Sequence, residues 1–178
     1  MGKIKRISSP FSEKEIISLK AGEMVLLSGI ILTARDQAHK RIFELIAKGE
    51  ALPLDLQGQT IYYCGPTPPG NRVIGSCGPT TSGRMDPFTP EILAMGVKAL
   101  IGKGRRSEDV LQAIKKEKAS YFVAPAGAGA YLQKKVISSK VLCFRDLGPE
   151  AIYELEVKDF PLVVGIDAKG KDIYSRLK

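Results

Sequence analysis

At 178 residues the chain can bury a core as one domain, and 44% apolar with 26% charged residues is the make-up of an ordinary globular protein, which excludes a disordered or fibrous chain. Lys and Arg outnumber Asp and Glu by 27 to 19, a formal charge of +8 that favours acidic partners. The cations are dispersed, aromatic residues make up only 7%, and no nucleic-acid-binding signature is present, so the charge suits an anionic substrate or an acidic protein at least as well as a nucleic acid.

The amino terminus, Met1-Gly2-Lys3-Ile4-Lys5-Arg6, lacks the apolar core of a signal peptide, and no run approaches the roughly 18 apolar residues of a membrane span. The chain therefore reads as cytoplasmic. Residues 23–33 hold an apolar run, Met24-Val25-Leu26-Leu27-Ser28-Gly29-Ile30-Ile31-Leu32, which predicts a buried strand; a helix over 36–48 follows, ended by Gly49. Arg35 then sits at a strand-to-helix junction. His39, the single histidine, lies on that helix, where a lone imidazole finds no partners for a metal site and has a packing or solvent role.

A short strand is predicted over 60–64. The Gly- and Pro-rich stretch 65–83 is long for a connection inside a domain, as functional loops are. It runs into Gly78-Pro79-Thr80-Thr81-Ser82-Gly83-Arg84-Met85-Asp86, where Thr80 and Thr81 offer hydroxyls and Arg84 a planar fork for a carboxylate or phosphate. The loop lacks the Lys-Ser/Thr ending of a P-loop and the G-x-G-x-x-G of a dinucleotide fingerprint, so it points to a small acid rather than a nucleotide.

The next helix is expected to have Thr89 as its cap, Pro90 at the first position and Glu91 in the first turn, with Ile92, Leu93 and Met95 on its apolar face. A brief strand over 99–101 leads to Gly102-Lys103-Gly104-Arg105-Arg106-Ser107, a second glycine-rich turn bearing cations, and Ser107 caps a helix carrying Val110, Leu111 and Ile114. Lys115, Lys116 and Lys118 read as its solvated face. Two anion-seeking loops suit a small acid with two charged ends.

Residues 121–124 predict a strand, 125–130 a run of small residues, and a short helix ends near Lys135. Strands follow over 141–144, 152–157 and 162–166, then a turn over 167–170 before Ile173-Tyr174. The alternation predicts one α/β domain over 1–178 with additional paired strands. Arg35, the 78–86 loop and Lys103 each border an element, and ligands of open α/β sheets collect at strand ends. Cys64, Cys77 and Cys143 are widely spaced with no C-x-x-C, so neither a zinc site nor a complete cluster site can be read. Cys143, in an apolar strand, reads as a small buried hydrophobe; Cys77, just ahead of the anion loop, is open to facing a ligand.

Leu27-Ser28-Gly29 leads to Ala34-Arg35-Asp36-Gln37-Ala38-His39, and Tyr63-Cys64-Gly65-Pro66 precedes the 78–86 loop and Gly102-Lys103-Gly104. Leu147-Gly148-Pro149-Glu150-Ala151-Ile152 runs on to Val157-Lys158-Asp159-Phe160-Pro161. Together these resemble the β subunit, equivalent to the carboxy-terminal domain, of class I iron–sulfur fumarate hydratases and the related tartrate dehydratases, over nearly the whole chain. The resemblance implies a swivelling β/β/α fold and an iron–sulfur cluster of the four-iron type held by cysteines of a separate α subunit. It also implies an active site shared between the two subunits of a heterotetramer or larger assembly. This chain carries none of the cluster-binding half and is expected to bind no metal and to be silent alone.

Carried over by position, Arg35, Arg84 and Lys103 resemble the family's substrate-carboxylate binders, with Thr81 a further substrate contact, and Thr80 its participant in proton transfer. The implied reaction is the reversible hydration of fumarate to (S)-malate. Removing the weakly acidic C–H beside a carboxylate builds negative charge on that carboxylate, and fixed Arg and Lys donors stabilise it there. A threonine hydroxyl is a poor base alone, so Thr80 needs an activating group from the other subunit, while the open iron acts as a Lewis acid on the leaving or entering hydroxyl. A tartrate dehydratase β subunit would use the same clamps on a substrate with one more hydroxyl. From a different class, a stand-alone anion- or nucleic-acid-binding module has the net charge and the Gly102–Arg106 turn in its favour.

Overall fold

The computed structural model describes residues 4–176. In chain order its elements are strand β1 (Lys5–Ser9), helix α1 (Glu13–Ser18), β2 (Met24–Thr33), α2 (Asp36–Ala47), β3 (Thr60–Tyr62), α3 (Thr89–Ala94) and β4 (Ala99–Gly102). They continue with α4 (Glu108–Glu117), β5 (Ser120–Val123), α5 (Gly129–Leu132), β6 (Val136–Cys143) and β7 (Ile152–Ile166).

β2, β3, β4 and β5 run parallel side by side, and β7 is antiparallel to both β5 and β2, which closes the five strands into a ring. The length of β7 makes the closure possible: residues from Glu154 to Val163 pair with β2, and those from Val163 to Ile166 pair with β5. β1 extends the first half of β2, and β6 the first half of β7. A closed sheet has no unpaired edge at the seam.

Period-two alternation sorts the strand residues into two cores. Tyr62, Ile101 and Phe122 join Leu27, Ile31 and Phe160 in one cluster, while their neighbours Ile61, Leu100 and Tyr121 pack with Ala38 and Ile42 of α2, Ile92 and Leu93 of α3, and Val110 and Ile114 of α4. Cover on both faces explains the apolar runs of β3 and β4, whereas β2 is buried throughout only at its carboxyl end, with Met24 exposed and Leu26 and Ile30 half-buried. α4 begins as expected, the Ser107 hydroxyl accepting from Val110 N–H at 3.4 Å. Among the described residues no helix is long and apolar enough to cross a membrane.

Three local expectations are corrected. Residues 152–157 and 162–166 belong to one strand, β7. Lys158 and Asp159 bulge opposite Ser28, with Asp159 at φ 49° and its N–H on Ser28 Oγ at 3.1 Å, so the chain passes Pro161 without leaving the ladder. β6 begins at Val136, well ahead of 141. Phe88, not Thr89, stands at the cap of α3, because a 3-10 turn over Ser82–Met85 and a helical Asp86 deliver the chain already coiled. The Thr89 hydroxyl instead donates to Met85 O at 2.8 Å. Ile173-Tyr174 lies in a 3-10 turn, Ile173–Arg176.

Candidate active site

The parallel ladder aligns the carboxyl ends of three strands: Leu32 pairs with Ile61 and Thr33 with Tyr62, while Ile61 pairs with Leu100 and Tyr62 with Ile101. Arg35 leaves the end of β2, Tyr63 to Gly65 the end of β3, and Lys103 the end of β4. The 78–86 loop is stitched across these ends. Thr80 N–H donates to Tyr63 O at 2.7 Å, Thr81 bridges Lys103 in parallel, and Ser82 N–H donates to Lys103 O at 2.9 Å. Backbone pairing therefore brings Thr80, Thr81, Lys103 and Arg35 to one rim.

Arg84 joins them through a side chain. Its Nε donates to Asp36 Oδ1 at 3.0 Å and its Nη2 to Asp36 Oδ2 at 2.7 Å, a two-point contact at the first residue of α2. Arg35 is held in a similar way: its Nε and Nη2 lie 2.9 and 2.8 Å from Glu150 Oε1, whose companion oxygen accepts Gln37 N–H at 2.6 Å. Each guanidinium thus spends its Nε/Nη2 edge on a carboxylate of this chain, and among the described residues neither Nη1 makes a side-chain hydrogen bond. Three cations against Asp36 and Glu150 leave the rim one positive charge. A side chain at Gly65 would put Cβ 2.9 Å from Arg35 Nη1, so the glycine keeps that group's space. Among the described residues the Lys103 ammonium makes no ion pair and the Thr80 hydroxyl no hydrogen bond.

Behind the rim, the two cation-bearing loops share a buried frame. Ser82 Oγ lies 2.9 Å from Tyr121 Oη and accepts Lys103 N–H at 3.0 Å, and Tyr121 Oη donates to Gly104 O at 2.9 Å. Arg106 corrects the expectation that the 102–107 turn offers all its cations to an anion. Its side chain is fully buried between the rings of Tyr63 and Tyr121, 5.3 and 4.9 Å from their centroids, and bonds to Asp86 and Thr89. Arg105, by contrast, is exposed and stacks over Tyr174.

His39 proves to be a packing residue, wholly buried against Tyr63 and Phe88, with Nδ1 2.8 Å from Arg35 O. Burial lowers its pKa to about 4 against the opposing pull of that carbonyl, so the ring is neutral at pH 7. Cys77 lies in the core rather than toward the rim, its thiol pushed up to about 12 by burial. Burial also raises the Cys64 thiol, and Cys143, half-buried on β6, is pushed up to about 11. Among the described residues no three His, Cys, Asp or Glu side chains gather to hold a metal ion, so the thiols here do not offer the converging ligand set of an iron–sulfur cluster.

Asp36, Ser82, Asp86, Arg106 and Glu150 all lie in motifs visible in the sequence, yet their roles were not anticipated. The available signal was the adjacency of acid to base in Arg35-Asp36 and Arg84-Met85-Asp86. Residues alone do not say which carboxylate serves which guanidinium.

Fold and rim together define an α/β domain that gathers Arg35, Arg84 and Lys103 at the carboxyl ends of its parallel strands. The chain belongs to the fumarase C-terminus family, whose profile matches residues 3–177. It is 38% identical over 173 residues to a protein of Methanocaldococcus jannaschii named "Putative L(+)-tartrate dehydratase subunit beta", covering 93% of this chain and 89% of that one. It is 39% identical over 167 residues to fumarate hydratase 2 of Leishmania major, covering 92% of this chain and 29% of that protein. With the aerobic class I fumarate hydratase of Escherichia coli K12 it shares 38% identity over 156 residues, 85% of this chain and 28% of that protein. The chain thus spans nearly all of the first relative and under a third of the other two.

Proposed function

We propose that this chain is the β subunit of an iron–sulfur-dependent class I fumarate hydratase, which with a cluster-bearing α subunit reversibly hydrates fumarate to (S)-malate. The enzyme would work in the cytoplasm as a heterotetramer or larger. The observation that carries the reading is the gathering of Arg35, Thr80, Thr81, Arg84 and Lys103 on one rim, in a chain of the fumarase C-terminus family. The five-strand ring with its flanking helices is read as the swivelling β/β/α domain of that family.

In this account the Nη1 groups of Arg35 and Arg84 and the ammonium of Lys103 take the two substrate carboxylates, and Thr81 lines the site beside them. As the C–H beside one carboxylate gives up its proton, charge accumulates on that carboxylate, where preorganised donors stabilise it most. The Thr80 hydroxyl, spared from internal hydrogen bonds, is placed to pass the proton once the partner supplies a group that activates it. The cluster is assigned to the partner in this reading, which is supported by the lack of a converging metal-ligand group among the described residues.

Dehydration of L-tartrate is a second reading, favoured by the Methanocaldococcus jannaschii relative that this chain matches over 89% of its length. The same carboxylate holders serve both substrates, and the additional hydroxyl would be read by the partner. Assay of the purified chain alone and with its α subunit, on fumarate, malate and tartrate, tests the proposal. The expected result is turnover of fumarate and malate by the pair only. Turnover by this chain alone, or a stoichiometric cluster on it, would overturn the reading; preference for tartrate would select the second.

A further inference from the structure

Glu150 lies 115 residues from Arg35 in sequence, at the end of the 3-10 turn Arg145–Glu150, and no role follows for it from the reading above. Its backbone is anchored at the seam where β7 meets β2. Buried Thr33 donates its hydroxyl to Ala151 O at 3.4 Å and accepts Tyr153 N–H at 3.0 Å, while Ala151 N–H returns to Gly148 O at 3.0 Å. The same turn is fastened to α2 by Arg41, whose Nη2 reaches Asp146 at 3.0 Å and whose guanidinium lies over the Phe144 ring. A carboxylate mounted on such a base has little freedom to follow a mobile partner.

That carboxylate does two things at once. One oxygen takes both Nε and Nη2 of Arg35, and the other takes Gln37 N–H in the first turn of α2, where the helix favours negative charge. Arg35 is itself the residue preceding that helix, so its backbone and its guanidinium are referred to one carboxylate. We propose that Glu150 is a positioning residue for the reaction: it fixes the plane of the Arg35 guanidinium so that Nη1, beside Gly65, meets the substrate carboxylate. This rests on the reading of Arg35 as a substrate-carboxylate binder. Asp36 grips Arg84 by the equivalent edge, so both guanidiniums are oriented from the start of α2.

A carboxylate that merely capped the helix would affect stability, and one that merely tempered the charge of the rim would alter KM. A positioning group affects kcat, because a reacting geometry displaced by about 1 Å costs up to roughly 100-fold. Glu150→Gln retains an acceptor for Gln37 N–H and removes the charge that aligns Arg35. In the enzyme assembled with its α subunit, with rates normalised to assembled sites, Glu150→Gln should lower kcat for malate at least about tenfold while KM moves less than about threefold. In the isolated chain, the 15N resonance of Arg35 Nε–H should exchange faster with solvent than in the wild type.

Glu150→Asp, which keeps the charge but withdraws the carboxylate by one methylene, should lose kcat similarly and serves if the Gln variant fails to fold. Both readouts at wild-type level in either variant, with Arg35→Ala inactive, would overturn the positioning role alone. An active Arg35→Ala would instead overturn the reading of the site.

Discussion

Asp86 and Arg106 clasp the two cation-bearing loops to each other: Arg106 Nε donates to Asp86 Oδ1 at 2.7 Å, and Ser107 N–H donates to Asp86 Oδ2 at 2.6 Å. The Arg106 side chain is wholly enclosed and Asp86 nearly so. Removing one partner of a buried pair leaves a charge without compensation, which costs about 3–5 kcal/mol. Asp86→Ala should therefore lower the unfolding free energy by that order in a urea titration. A loss under about 1 kcal/mol would mean that the pair is solvated and does not fasten the loops.

Gly102 ends β4 against this clasp. A Cβ there would overlap Ser82 Oγ and come within 2.9 Å of the Tyr63 ring. Gly102→Ala must push Ser82 aside, breaking the hydrogen bond that fixes Lys103 N–H and the contact with Tyr121. Overpacking of this kind costs about 1–3 kcal/mol. Thermal melting should register that loss, and kcat/KM of the assembled enzyme should fall with it. Unchanged values for both would show that the loop tolerates a displaced Ser82.

The buried His39 makes stability depend on pH in a defined direction. Its folded pKa is about 4 against 6.5 for a free imidazole, so as pH falls below 6.5 the unfolded chain takes up a proton that the folded chain refuses. The contribution is complete above pH 6.5 and is lost as pH falls toward 4, amounting to about 2 kcal/mol between about pH 7.5 and 5. Ordinary carboxylates titrate mostly below that window. Denaturant titrations across it should show the slope in the wild type and a flatter profile in His39→Gln. Equal slopes in the two proteins would place the proton elsewhere.

Much of the rim was readable because it rests on local signals. The apolar run of β2, the arginine at its junction with α2 and the Ser107 cap each depend on residues within a few positions of one another. What escaped depends on distance. Asp159 and Pro161 break a strand pattern locally, yet β7 continues because β2, some 130 residues earlier, supplies partners for the bulge, including Ser28 Oγ. Ring closure has no local signature either. Arg106 looked like a surface cation because its enclosure comes from Tyr63, Asp86 and Tyr121, which the sequence separates. β1, with the sequence Lys5-Arg6-Ile7-Ser8-Ser9, carries too little apolar contrast to stand out alone and is ordered by parallel pairing to β2.

Arg84 tests the central claim most directly, since its fork is set by Asp36 and a substrate carboxylate is the ligand assigned to its remaining edge. Arg84→Lys keeps the charge and loses both the planar fork and the two-point grip on Asp36. The decisive measurement is steady-state kinetics of this variant on malate and fumarate, assembled with the α subunit. If Arg84 holds the carboxylate on which charge develops, kcat and kcat/KM should fall together by about 2–4 kcal/mol of transition-state stabilisation. Near-wild-type kinetics in a folded, assembled Arg84→Lys enzyme would contradict the account and remove Arg84 from the site.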